Sequence, residues 1–208
     1  MRKLLLTSAG LSNEEIKQEF LNLVMVKPID SLKVIMISEQ KNEQDKIFLD
    51  QAIENLKDLK IKQENISVFK LDDKFEYNLQ DFDLLYMCGG NTYHYLDRIR
   101  QLDLVDKIKN FVESGKIYFG VSAGSILATP QIDNASPWDE NDVKMKDLTG
   151  FNFVDFLIAV HINHKDMEIV RKLQQELKMP FRALTDDQAF LVKGDKIKLV
   201  GKGEEYKV

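Results

Sequence analysis

One cysteine in 208 residues, Cys88, excludes an internal disulfide framework and suits a reducing cytoplasm. A basic excess is missing as well. The chain carries 29 Lys and Arg against 34 Asp and Glu, and its net charge of -5 argues against nucleic acid as the main partner. No apolar run reaches the roughly 18 residues that a membrane-spanning helix needs. The opening Met1-Arg2-Lys3-Leu4-Leu5-Leu6 starts like a secretory leader, but its apolar stretch is short and polar residues follow at once. Repeats, linkers and low-complexity tracts are absent too. These absences leave a cytoplasmic enzyme acting on a small molecule or peptide, with neither nucleic acid nor membrane as partner.

What is present is ordinary for a globular protein, with 44% hydrophobic and 30% charged residues, enough for one sizeable core. A single domain over residues 1–208 is expected. Short apolar runs alternate with amphipathic stretches from the first residue onward. Lys3 to Ser8 reads as a buried strand, followed by a capping box at Ser12-Asn13-Glu14-Glu15 and a helix with Ile16, Phe20, Leu23 and Val24 on one face. Strands are expected at Val34–Ile37, Ile66–Leu71, Leu84–Met87, Lys116–Phe119 and Phe156–Val160. Helices are expected at Glu43–Leu59, Thr92–Arg100, Leu104–Ser114 and Asp166–Lys178. Gly194-Asp195 predicts a hairpin between Phe190-Leu191-Val192 and Ile197-Lys198-Leu199. This order implies an α/β fold, a three-layer α/β/α sandwich around a mostly parallel sheet. Residues 129–150 break the pattern as a polar, Asp-rich loop around Trp138, in the manner of a lid or binding loop.

The most informative segment is Gly120-Val121-Ser122-Ala123-Gly124, which matches G-x-S-x-G between a predicted strand and a short helix. That turn presents a serine at the carboxyl edge of a parallel sheet. A serine hydroxyl needs a base within hydrogen-bond reach, and the chain has three histidines, His94, His161 and His164. His161 follows the apolar run Phe156–Val160 and so emerges at the same edge as Ser122, whereas His164 lies in a polar loop and His94 inside a predicted helix. The amide of Ala123 is one candidate oxyanion donor, and Gly89-Gly90, leading from a strand into a helix, could supply another. Cys88 precedes those glycines instead of occupying the turn, which fits a buried thiol better than a nucleophile. The HxxH pair His161 and His164, with Asp166 nearby, lacks a further firm ligand, so no metal and no cofactor are expected.

Cys88-Gly89-Gly90-Asn91-Thr92, then Gly120-Val121-Ser122-Ala123-Gly124-Ser125, then Ala159-Val160-His161 together resemble the peptidase E and cyanophycinase family of serine peptidases. The resemblance runs from the first strand to the hairpin near residue 200. It implies a fold similar to class I glutamine amidotransferases, with Ser122 as nucleophile and His161 as base. Gly90 and Ala123 would supply the oxyanion amides, and Asn91 would help shape the substrate site. Members remove an N-terminal aspartate from dipeptides or cleave aspartyl-arginine polymers. Two positions depart from the pattern. Val160 stands where members often carry proline, and the acidic partner of the histidine is ambiguous. In Leu184-Thr185-Asp186-Asp187-Gln188-Ala189 the likeness favours Asp186, with Asp187, Asp133 and Asp139 as rivals.

The expected function is a serine exopeptidase that hydrolyses short peptides through an acyl-enzyme on Ser122, with dipeptides bearing N-terminal aspartate as the implied substrates and a homodimer as one assembly. An acidic first residue would want a cation, for which Arg98, Arg171 and Arg182 are candidates. A small-molecule esterase or amidase with the same triad, or an inactive binding protein of the same fold, are the alternatives.

Overall fold

The computed structural model describes residues 1–25 and 27–206. Strands β1 (Lys3–Thr7) and β2 (Val34–Ser38) are each followed by an α-helix, α1 (Glu14–Val24) and α2 (Glu43–Asp58); β3 (Ile66–Lys70) leads to β4 (Leu84–Met87) without one, and two helices, α3 (Thr92–Gln101) and α4 (Val105–Glu113), precede β5 (Ile117–Val121). A short helix α5 (Ala123–Leu127) follows the serine turn. After it come β6 (Leu157–Ala159), α6 (Met167–Leu177), β7 (Phe181–Ala183), β8 (Gln188–Lys193) and β9 (Lys196–Gly201).

Seven strands form one sheet in the order β3-β2-β4-β5-β1-β8-β9. The five strands from β3 to β1 run parallel, β8 is antiparallel to β1, and β9 is antiparallel to β8. Strands β6 and β7 make a separate parallel pair. The near-continuous apolar runs have their reason here, because side chains alternate between two faces and both faces are covered. Leu4, Leu6, Ile35, Ile37, Leu85 and Met87 point into one core, with Leu96 and Ile99 of α3 and Ile108 and Phe111 of α4. Leu5, Val34, Met36, Leu84 and Phe119 point the other way, onto Ile16 and Phe20 of α1 and Leu49 and Leu56 of α2. The result is the three-layer α/β/α architecture that the element order implies. Phe119, fully buried, packs against Phe20 at 5.4 Å and edge-on to Tyr86 at 4.6 Å between ring centroids, which anchors the strand leading into the serine turn. Burial of one such side chain is worth about 1.5–3 kcal/mol.

Two expectations need correction. The cap of α1 is Asn13 and not Ser12: its side-chain oxygen accepts the Ile16 N–H while its amide donates to the Asp187 carbonyl at 2.8 Å. An amide can do both at once, and a serine hydroxyl one residue earlier reaches neither. The stretch 129–150 is also more ordered than a free loop. It holds a bridge between Gln131 and Thr149 and a helical turn at Asp133–Ala135, and it is pinned to the start of α3. No helix among the described residues is long and apolar enough to cross a membrane.

Candidate active site

Ser122 stands between β5 and α5 with φ 51° and ψ -114°, a conformation that costs a non-glycine residue about 1–3 kcal/mol. Neighbours hold it there. The Ser122 N–H donates to the Thr7 carbonyl at 3.0 Å, and its own carbonyl accepts from Ser125 and Ile126 at 2.8 and 3.2 Å. The Ser125 hydroxyl, fully buried, shares its one proton between the carbonyls of Thr7 and Gly120, at 2.7 and 2.9 Å. At the end of the motif the chain passes so close to β4 that a Cβ on Gly124 would overlap the Met87 carbonyl. Small residues in G-x-S-x-G therefore reflect a steric demand of this turn.

His161 leaves the end of β6 with φ 59°, and the Ile162 N–H bonds the Leu184 carbonyl at 3.0 Å. Its imidazole lies between the two groups that a proton relay requires. Nε2 is 2.9 Å from Ser122 Oγ, and Nδ1 is 2.5 Å from Asp186 Oδ1. A carboxylate accepts only, so Nδ1 carries the proton and Nε2 faces the serine as an acceptor. Asp186 sits in the short connection from β7 to β8. Because β8 runs against β1, the residues before β8 lie at the edge where β5 ends. The turn is built by Gln188, whose side chain accepts from the Thr185 N–H at 3.1 Å and donates to the Glu204 carbonyl at 3.0 Å.

Ser8 was not singled out in the sequence, yet it joins this group. Its hydroxyl accepts the His161 N–H at 2.7 Å and donates to Asp186 Oδ1 at 2.8 Å. The one pointer to it is positional: it directly follows the first strand of a mostly parallel sheet, at the edge where such sheets bind ligands.

The rival acids are engaged elsewhere. Asp139 accepts the N–H and hydroxyl of Thr92 at 2.8 and 2.6 Å, Asp133 opens a helical turn beside Tyr93, and the Asp187 side chain is exposed. The other histidines are also placed apart from Ser122. His94 bonds Glu39 at 2.9 Å and pairs with Asp142, while His164 packs edge-on to Tyr206. The Asn91 side chain is engaged within the protein. Its oxygen caps α3 by accepting from the Tyr93 and His94 amides, and its nitrogen donates to the Glu140 carbonyl.

A cavity of about 290 Å³ opens beside Ser122, and its lining includes His161, Ser8, Gly89 and Gly90. Among the described residues, no protein acceptor bonds the amides of Gly90 or Ala123. Burial pushes the Cys88 thiol in this lining up to about 12, opposed in part by a hydrogen bond to Ser38. Such a thiol is protonated at neutral pH and inert as a nucleophile. No group of three or more His, Cys, Asp or Glu among the described residues is arranged to hold a metal. Arg98 is tied to the Leu71 carbonyl, Arg182 to Glu205, and Arg171 is exposed on α6; none of the three lines the cavity.

The chain is similar to proteins named as peptidases. Uncharacterized peptidase PM1590 of Pasteurella multocida is 28% identical over 134 residues, which is 62% of this chain and 63% of that protein. Peptidase E of Shewanella amazonensis is 27% identical over 170 residues, 77% of this chain and 70% of that one. The matches span about three fifths of the length of the first of these curated relatives. A solved structure of a candidate peptidase E from Listeria monocytogenes superposes with a TM-score of 0.80 at 19% identity, covering 98% of this chain and 100% of its own. A peptidase from an acI-B1 Actinobacterium does so with a TM-score of 0.67 at 15% identity, covering 100% and 97%. At those identities the likeness shows the fold alone. The family pattern itself matches residues 4–200, and the chain belongs to peptidase family S51.

Proposed function

We propose that the chain is a serine exopeptidase that hydrolyses short peptides through an acyl-enzyme on Ser122. The observation that carries the reading is the unbroken relay Ser122 Oγ, His161, Asp186 at 2.9 and 2.5 Å. Ser122 Oγ attacks the scissile carbonyl carbon as His161 Nε2 takes its proton. Asp186 holds the Nδ1–H and stabilises the imidazolium that forms. The carbonyl oxygen, now carrying negative charge, is received by the amides of Gly90 and Ala123. When the tetrahedral centre collapses, the carbon–nitrogen bond breaks and His161 returns the proton to the leaving amine. A water, deprotonated by the same nitrogen, then releases the acyl group and restores Ser122. The cavity volume lies near the lower end for ligand sites, which fits a substrate of one or two residues at the reacting end.

Hydrolysis of a dipeptide panel by the wild type and by Ser122→Ala tests the reading, together with fluorophosphonate labelling followed by mass spectrometry. Turnover should fall by about 10³-fold or more in the variant, and the label should map to Ser122. Equal turnover by Ser122→Ala, or an unlabelled Ser122, refutes the assignment.

A further inference from the structure

We infer that the cavity beside Ser122 selects an uncharged, apolar side chain on the acyl half of the substrate and rejects aspartate there. The inference rests on the acyl-enzyme reading above. Ser122 and the Gly89-Gly90 segment lie in the same lining, so the carbonyl carbon and its oxygen sit at the edge of this cavity. The group attached to that carbon has to occupy the rest.

The apolar walls are made by Leu11 after β1, by Phe48, Leu49 and Ala52 of α2, and by Tyr86 and Val121 from the sheet; the uncharged Ser38, Gln51 and Asn55 also line the space, the last two bonded to each other at 3.3 Å. Among the described residues, the lining contains no lysine and no arginine. Its one carboxylate, Asp45, repels an acidic substrate further. The start of α2 offers an aspartate nothing either. Asp45 accepts the Lys41 N–H at 2.9 Å and the Asn42 N–H at 3.3 Å, while the Asn42 oxygen accepts the Asp45 N–H at 2.9 Å. The helix is thus capped from within, and a negative charge already stands at its positive end. Burial keeps the Cys88 thiol and the Tyr86 hydroxyl protonated, so neither introduces charge of its own. An ionised carboxylate entering this space would lose its hydration without meeting a cation.

Phe48 supplies the second line of argument. It is a large aromatic side chain left 64% exposed, at the rim of the cavity and one turn into α2. It contributes little to the core, whereas an apolar substrate side chain would cover it.

Two activated esters separate the alternatives. The p-nitrophenyl ester of 4-methylpentanoate carries the leucine side chain without its amino group, and the mono-p-nitrophenyl ester of succinate carries that of aspartate. We expect kcat/KM for the 4-methylpentanoyl ester to exceed that for the succinyl ester by about 100-fold. Phe48→Ala should lower the first value by about tenfold. Ala52→Arg, at a half-buried position, should narrow the ratio at least tenfold by bringing in the missing cation. The dipeptides Leu-X and Asp-X should rank in the same order. A succinyl ester that reacts as fast or faster, in an enzyme silenced by Ser122→Ala, overturns the inference alone. Ester turnover that persists in Ser122→Ala overturns the acyl-enzyme reading and the inference with it.

Discussion

The hydroxyl of Ser8 has one proton and two lone pairs, and both kinds of site are in use. It receives the backbone N–H of His161 and donates to the same Asp186 oxygen that faces the imidazole. Ser8 is therefore a positioning residue, tying the proposed base to the proposed acid without touching a substrate's reacting atoms. Ser8→Ala should leave the His161 N–H without a partner, at a cost of about 1–3 kcal/mol in stability. The functional signature is more specific. We expect kcat to fall about tenfold with KM changed less than twofold, because the imidazole loses orientation while the cavity walls stay in place. Steady-state kinetics on any turned-over peptide reads this directly, and an unchanged kcat would leave Ser8 a merely structural residue. The same scale explains why Ser122 and His161 can both hold positive φ. Each backbone is tied by hydrogen bonds to β1 or to the residue beside it, so local strain is outvoted by the surroundings.

At the scale of elements, the joint between α3 and the stretch 129–150 decides how the oxyanion side of the site is held. Asn91 caps the helix and grips Glu140, Asp139 grips Thr92 from the other side, and Asp142 meets His94 one turn further on. Asn91→Ala should thus act through stability. Loss of the cap costs about 1 kcal/mol, which lowers Tm by about 2–4 °C for a chain of this size. Thermal unfolding followed by circular dichroism measures it. An unaltered Tm combined with a raised KM would return the amide to substrate binding. This joint also marks where sequence reading ran short. The strands of the core were legible because Val34–Ile37 and Leu84–Met87 are apolar at every position, and the helices because Ile16, Phe20 and Leu23 recur at helical spacing. The partners of Asp139 and Asn91 lie 47 and 49 residues away in the chain, and no local pattern announces a contact of that range.

For the molecule as a whole, the site is a product of topology. The approach of Ser122 and His161 agrees with the expectation, but its premise needs correction: β6 pairs with β7 outside the seven-stranded sheet, so His161 reaches Ser122 from a separate strand pair and not from the edge where β5 ends. The arrival of Asp186 depends on β8 running antiparallel to β1, which neither Thr185 nor Gln188 betrays in the sequence. That reversal makes the last strand matter to a group it does not touch. Strand β9 closes the outer edge of β8, and the Lys202 N–H donates at 3.0 Å to the carbonyl of Asp187, beside the proposed acid. Gly201 lies at φ 99°, and a Cβ there would overlap that same carbonyl. Gly201→Ala must therefore displace either β9 or the Asp187 backbone. A backbone clash joined to a strained φ should cost about 2–4 kcal/mol, or roughly 5–15 °C in Tm. Since Asp187 adjoins Asp186 and is also held by Asn13, kcat should fall well beyond what the unfolded fraction explains when assayed far below Tm. Lys196→Ala, at the exposed start of the same strand, should keep both Tm and kcat. A Gly201→Ala protein with lowered Tm and wild-type kcat would show that β9 supports the fold but does not set the position of Asp186.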